Sequence, residues 1–186
     1  RLLADARPLL SRVATSPAWP WPEQRLTYAN AVLPEAMIVL GTTLEQPGLR
    51  AQGLALLGWL LDLQTSDGHL SVVPVAGLGR HDTRGGFDQQ PIEVACLAEA
   101  CRTAYDATSD DRWLQALVMC RAWFDGANDA GLVMHDDLSG GGYDGLGKSK
   151  VPLGRLDHGR VELDCSELGA AIQRREQSQE RAAAKA

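Results

Sequence analysis

Leu33-Pro34-Glu35-Ala36 resembles Leu97-Ala98-Glu99-Ala100, which lies 64 residues further along the chain, and the two stretches indicate an internal repeat. Trp59, near the end of the next apolar stretch, returns at the same distance as Trp123. Internal repeats of this length are typical of arrays of helical hairpins. The sequence therefore predicts two copies of a helix–helix unit, each followed by a glycine-containing loop with a histidine.

Apolar residues recur with helical spacing in four stretches, which predict helices over residues 23–44, 47–64, 89–107 and 110–127. Pro47 and Pro91 suit the first turn of a helix, and Asp88 and either Asp110 or Asp111 are candidate N-caps. Pro34 lies inside the first of these helices and predicts a kink or a break there. Residues 70–75 predict a short strand or an extended loop. The predicted fold class is all-α, built from antiparallel helical hairpins with short extended loops.

The composition changes near residue 146. All ten aromatic residues lie at or before Tyr143, and all three lysines lie after it. The last segment has few apolar positions, so a helix there would be polar on every face. We therefore predict a helical-hairpin domain over residues 1–146, which begins with a short amphipathic piece over residues 1–14. Residues 147–186 are predicted to be a divergent polar appendage.

Bulk composition limits the class of partner. The chain has 186 residues, of which 45% are hydrophobic, and its net charge of −6 argues against nucleic acid or an anionic membrane as a partner. No apolar run approaches the roughly 18 residues of a membrane span. The four cysteines, Cys96, Cys101, Cys120 and Cys165, form no CxxC pair, and such isolated thiols predict a reduced, cytoplasmic protein.

The densest group of polar residues lies over positions 79–93. Asp88 and Glu93 form part of an acid/base set if they face one cavity. Gln89 and Gln90 supply the donors and acceptors on short arms that sugar hydroxyls need. The alternative interpretation is structural: Asp88 caps the following helix and Glu93 is solvated.

A second polar stretch covers positions 135–145. Asp136, Tyr143 and Asp144 are expected to line the same pocket as Asp88. The alternative is a tight acidic turn or a weak calcium site, although the ligand order does not match an EF-hand loop. His69 and His135 follow the second helix of their copies, but two histidines in separate loops are a weak signal, so no metal or cofactor is predicted.

Four motifs, taken in their order, resemble a known family. They are Trp19-Pro20-Trp21-Pro22-Glu23 with Leu26-Thr27-Tyr28-Ala29-Asn30-Ala31-Val32-Leu33-Pro34-Glu35-Ala36, then Asp67-Gly68-His69-Leu70, then Phe87-Asp88-Gln89-Gln90-Pro91-Ile92-Glu93, and Gly140-Gly141-Gly142-Tyr143-Asp144-Gly145-Leu146. In this order the stretch is similar to the helical-toroid domain of bacterial glycosidase-related proteins, which are often found with or beside glycosyltransferases. That family is similar to six-hairpin (α/α) toroid glycosidases. The resemblance implies a partial (α/α)6 toroid and a carbohydrate site.

The chain departs from the family pattern at two places. Ala29 stands where the family usually has an acidic residue. After Leu146 the family continues with a helix that opens on an Asn-Gln-Gly-Ala-Glu-Ser-like motif, and residues from 147 onward show nothing similar. If that helix carries pocket residues, this chain lacks them.

The function expected from this reading is a carbohydrate-active, glycoside hydrolase-like domain that acts on a glycan or binds it. Asp88 and Asp144 are the first catalytic candidates, with Glu93 and Asp136 behind them. The residues expected to hold sugar hydroxyls are Glu23, Tyr28, Asn30, His69, Gln89, Gln90 and Tyr143. One alternative is a non-catalytic glycan-binding or scaffold module associated with a glycosyltransferase. Another is a truncated, inactive toroid that self-associates through its open hairpin faces.

Overall fold

The computed structural model describes residues 18–83, 86–136, 138 and 141–147. The helices of this part are α1 (Val32–Thr43), α2 (Pro47–Leu63), α3 (Pro91–Thr108) and α4 (Asp111–Phe124). The strands are β1 (Arg25–Leu26), β2 (Thr65–Ser66), β3 (His69–Leu70) and β4 (Leu78–Gly79). The described chain is 49% helical and 12% strand.

The prediction of an all-α fold is wrong. β1 pairs antiparallel with β4, and β2 pairs antiparallel with β3, so two small sheets accompany the four described helices. This arrangement is not a clear six-hairpin toroid. Each strand has two residues, which is too short to produce the apolar–polar alternation by which a strand is recognised in sequence.

The helix boundaries follow the start and stop signals, with one exception. Pro47 and Pro91 occupy the first turns of α2 and α3, and the Asp110 side chain accepts a hydrogen bond from the Arg112 N–H at the start of α4. The first helix, however, begins at Val32 and not at residue 23. The segment before it forms β1 and a turn, in which Ala29 has a φ of 49°.

Two expectations about these helices are corrected by the same geometry. Pro34 lies in the first turn of α1, where its missing N–H has no helical partner to lose, so it causes no break. Asp88 does not cap α3. The N-cap position there is Gln90, and no side chain forms a cap hydrogen bond.

The helices pack as two hairpins, α1 with α2 and α3 with α4. Two glycines allow the first pair to approach closely. A Cβ at Gly41 would overlap the backbone of Arg50, and a Cβ at Gly53 would lie 2.9 Å from Met37 and Ile38 atoms. The second hairpin has Tyr105 and Leu117 at the equivalent positions, so its helices meet through larger side chains.

The two hairpins are joined side by side through α1 and α3. The Thr103 hydroxyl of α3 donates a hydrogen bond of 3.0 Å to the Glu35 carboxylate of α1. The mainly apolar core extends across both hairpins and includes fully buried residues such as Met37, Leu57, Leu97 and Trp123. None of the described helices is both long and apolar enough to cross a membrane.

The loop after each hairpin folds back onto the segment that precedes its first helix. In the first copy Arg25 pairs with Gly79, and in the second copy Gln89, 64 residues later, pairs with Leu146. Pro74 also pairs with Gln89, so the loop of the first copy contacts the start of the second. The repeat therefore includes the loops as well as the helices.

Some expectations fall on parts of the chain that the structure does not describe. The amphipathic piece over residues 1–14, Cys165 and nearly all of the appendage proposed for residues 147–186 lie outside the described residues. The domain boundary near residue 146 therefore stays a prediction.

Candidate functional site

The long loops of the described chain lie at one end of the hairpins. α1 and α3 begin at this end, and α2 and α4 finish there, because the hairpin connections at the opposite end have only a few residues. All eleven candidate residues named from the sequence lie in these loops or in the first turn of α3. We call this surface the loop end. Its described residues come from three separate segments of the chain, which are 18–31, then 64–83 with 86–90, and then 125–136 with 138 and 141–147.

Glu93 is the most enclosed of the candidate carboxylates. Its side chain is buried and accepts hydrogen bonds from the Ala29 N–H, the Asn30 N–H and the Asn30 side-chain amide, the last at 3.0 Å. Ala29 is the residue 64 positions before Glu93, so the carboxylate binds the matching turn of the other copy. The Glu93 side chain therefore fixes the turn that leads into α1. The equivalent positions of the second copy already belong to α3, so they need no such contact.

The environment of Glu93 also changes its protonation. Burial raises the pKa of this carboxyl above its ordinary value, and the hydrogen bonds from Asn30 and Ala29 oppose that rise. Asn30 is itself buried, and its side-chain oxygen accepts the Thr27 N–H at 3.0 Å. Both side chains are therefore engaged within the protein.

Gln89 is fully buried at the centre of a polar network. Its oxygen accepts a hydrogen bond of 3.1 Å from the Trp123 indole N–H. Its amide nitrogen donates to the Gly86 carbonyl at 3.0 Å, to the Asp129 carboxylate, and at 3.5 Å to the Ser71 hydroxyl. One side chain thus joins the loop of the first copy, the start of α3 and the loop of the second copy.

His69 joins the same network through Asp129. The imidazole Nε2 lies 3.1 Å from one carboxylate oxygen of Asp129, and Gln89 contacts the other oxygen. The two side chains are 23% and 17% exposed, so one edge of this pair reaches the surface. An imidazole oriented by a carboxylate is a group that can accept or donate a proton at its other nitrogen.

Asp88 and Asp144, the two first catalytic candidates, are both exposed. The Asp88 N–H donates to the Leu146 carbonyl at 2.9 Å, and Asp144 lies two residues before Leu146. Chain geometry therefore holds their Cα atoms within about 13 Å of each other. Asp88 has a φ of 64°, a left-handed conformation that aspartate and asparagine tolerate better than most residues.

The other predicted contact residues differ in accessibility. Tyr28 is 64% exposed, Glu23 is exposed, and Gln90 and Tyr143 are half-buried. Tyr143 packs in part against the core.

The side chain and backbone of Asp136 stabilise the turn in which this residue lies. Its carboxylate accepts the Leu138 N–H at 3.0 Å, and its backbone N–H donates to the Gly141 carbonyl. His135 of the same loop lies 3.1 Å from Asp125, and hydrogen bonds from Arg121 lower the pKa of the Asp125 carboxyl.

Sequence reasoning missed three members of the Gln89 network: Ser71, Trp123 as a hydrogen-bond donor, and Asp129. Trp123 marks the repeat in the sequence but shows no sign of its hydrogen bond, and Asp129 lies in a short polar run, Asn128-Asp129, without a recognisable motif. The repeat offers one signal. Asn128 stands 64 residues after Gln64, and both are buried amides that hydrogen-bond the loop behind their helix.

Metal binding finds no support in the described part of the chain, where no group of three or more His, Cys, Asp or Glu side chains is arranged to hold an ion. Cys96, Cys101 and Cys120 are free thiols, and burial raises the pKa of Cys101 to about 12. A thiol with so high a pKa stays protonated and unreactive at neutral pH.

A comparison with models of known protein families, with curated proteins and with solved structures found no match to this chain. The resemblance to glycosidase-related proteins therefore rests on the sequence motifs alone.

Proposed function

We propose that the loop end binds a glycan. The observation that carries the proposal is that some polar residues of the loop end are buried and others are exposed. The buried ones, Gln89, Asn30 and Glu93, hydrogen-bond the loops to each other, while Asp88, Asp144 and Tyr28 are exposed beside them. Loops that present carboxylates and a tyrosine ring to solvent suit sugar hydroxyls and sugar ring faces.

The family resemblance supports the same ligand class. The residues that carry it include Tyr28, Asp88 and Tyr143-Asp144, and each lies at the loop end. Association with a glycosyltransferase stays a prediction that rests on this resemblance.

A second candidate function is glycoside hydrolysis, favoured by the pairing of the Asp88 and Leu146 backbones. This pairing holds the Cα atoms of Asp88 and Asp144 within about 13 Å of each other. Two carboxylates on either side of a glycosidic bond are the usual requirement for hydrolysis, with about 5–9.5 Å between them depending on the stereochemistry. We rank binding first because the carboxylates that are enclosed by other groups, such as Glu93, are already hydrogen-bonded to the backbone.

The test is a glycan array probed with the whole chain, followed by hydrolysis assays on any glycan that binds. We expect Asp88→Asn and Asp144→Asn each to weaken binding at least about tenfold, which corresponds to about 1.4 kcal/mol. Asparagine is the correct replacement at Asp88 because it keeps the left-handed backbone conformation, whereas alanine would add strain. Asp106→Asn is the matched control, since Asp106 is an exposed aspartate in the last turn of α3, about 22 Å of helix away from the loop end.

The outcomes separate the two functions. Loss of binding in both loop-end variants with normal binding by Asp106→Asn supports the binding site. Hydrolysis by the natural chain that disappears in Asp88→Asn while binding persists supports the enzyme. Binding to no glycan, or equal loss in the Asp106 control, contradicts the proposal.

We also propose a reducing, cytoplasmic location. Its support is the state of the described cysteines, which are free, with Cys101 and Cys120 buried. Oxidising compartments favour disulfides in small domains. Thiol titration of protein purified without reductant checks this, and oxidised cysteines in the natural protein would contradict it.

A further inference from the structure

The outer face of α1 is exposed, whereas the equivalent face of α3 is covered. It comprises Val32, Ala36, Val39 and Thr43, which are all exposed, Val32 at 49% and Val39 at 45%. These residues recur every three or four positions, so they form one continuous stripe. The stripe carries no charge. We call it the α1 outer face.

In the second copy, the positions equivalent to the α1 outer face are covered. These positions, 64 residues further along the chain, are Cys96, Ala100, Thr103 and Ala107 of α3. There Ala100 is fully buried, the other three are half-buried, and Thr103 hydrogen-bonds Glu35 of α1. The equivalent stripe on α3 is therefore the surface that packs against a neighbouring helix. On α1 the same stripe has no helix against it in the described chain.

The opposite end of the two-hairpin array is built differently. The α1 side that receives α3 includes Glu35, and the equivalent position on α3 is Glu99. Arg102 forms ion pairs with Glu99 at 3.2 Å and with Asp106 at 3.0 Å, and all three side chains are about half exposed or more. A charged, hydrated surface of this kind ends a repeat array, whereas an apolar stripe continues it.

The difference in charge between these two surfaces indicates what packs on the α1 outer face. Stacking of two chains head to tail would press the valines of the α1 outer face against the charged pair of α3 and strip water from those charges without compensation. Two copies of the α1 outer face, in contrast, are both uncharged, so their contact strips no water from a charge. We propose that this chain forms a two-fold dimer in which the α1 outer faces of two copies pack together.

The size of the surface sets the strength of the association. α1 has 12 residues and is therefore about 18 Å long. A single helix face of this length is smaller than the interface of a permanent dimer, which buries about 1,200–2,000 Å². We therefore expect a weak dimer whose population rises with concentration.

The experiment is sedimentation or light scattering of the whole chain between about 5 and about 500 µM, the range in which weak dimers dissociate. The expected result is a mass that rises from that of the 20.0 kDa chain toward twice that value. Val39→Glu is expected to weaken the association at least about tenfold, because two like charges would then meet near the two-fold axis. Val118→Glu is the matched control, since Val118 is an equally exposed valine, at 47%, on α4.

The proposal is overturned if the natural chain stays a monomer over the whole range. It is also overturned if Val39→Glu dimerises normally, or if Val118→Glu disrupts the dimer as strongly. Circular dichroism checks that the variants keep their helices. Ala36→Arg provides a second probe of the same face if Val39→Glu unfolds.

Discussion

The two copies of the repeat share a backbone plan but are held together by different chemistry. Arg25 and Gln89 stand 64 residues apart, and each pairs with the loop that returns from its own hairpin. The Arg25 side chain forms an exposed ion pair of 2.6 Å with Asp82. Gln89 is fully buried and bonded to Trp123 and to the Asp129 carboxylate.

The comparison shows where a site can be built on such a repeat. An exposed ion pair adds little stability. A satisfied buried network fixes the position of every loop that it touches. The exposed candidates Asp88 and Asp144 flank the second arrangement, so their positions are set by buried neighbours.

The largest expected effect comes from removing the Gln89 network. Gln89→Leu keeps the approximate volume but leaves the Trp123 indole N–H buried without an acceptor and removes a donor from Asp129. Each unpaired buried polar group costs about 1–3 kcal/mol. We expect the free energy of unfolding to fall by about 3 kcal/mol, measured by urea denaturation.

The matched control is the same position of the first copy. Arg25→Gln removes the exposed ion pair with Asp82 and is expected to cost less than about 1 kcal/mol. An equal loss in the two variants would contradict the difference between the copies.

An intermediate effect is expected at the contact between the copies. Glu93→Ala removes the acceptor for the Ala29 N–H and the Asn30 side chain, and should lower the free energy of unfolding by about 2 kcal/mol. Hydrogen exchange should show faster exchange at residues 29–31, while the protection of α4 stays unchanged. Uniform loss of protection in both hairpins would argue against a local role.

The smallest effect is a pH dependence. Because burial raises the pKa of Glu93, the folded chain holds this proton at pH values where the unfolded chain has lost it. The stability from this group is therefore complete below its ordinary pKa and decreases as pH rises through the folded value. Glu93→Gln cannot titrate, so the natural chain should lose stability relative to this variant as pH rises above the ordinary pKa of a glutamate, about 4.3. A constant difference would contradict the raised pKa.

The sequence predicted the helices more accurately than the loops. The boundaries of α2, α3 and α4 agree with the apolar periodicity to within a few residues, and Asp110, one of the two candidate caps, caps α4. The start of α1 was wrong because residues 25–26 pair with β4, and an apolar residue such as Leu26 fits either a strand or a helix. The small sheets were missed because a strand of two residues is too short to show an apolar–polar alternation.

The candidate site was only partly accessible to sequence reasoning. The glycine-rich loops marked the loop end, but the alternatives for Glu93 were catalysis or exposure to solvent, whereas the structure buries it against a turn of the other copy. Asp129 was missed because its partners, His69 and Gln89, are 60 and 40 residues away. No local pattern contains such a contact.

The sequence by itself determined the repeat, the helices and the set of polar residues placed at their ends. These depend on spacing along the chain, which helical periodicity and capping preferences read directly. Only the tertiary structure decided which of those polar residues form hydrogen bonds within the protein and which face solvent. That choice depends on atoms brought together across 40 to 64 residues, and on which face of a helix another helix covers.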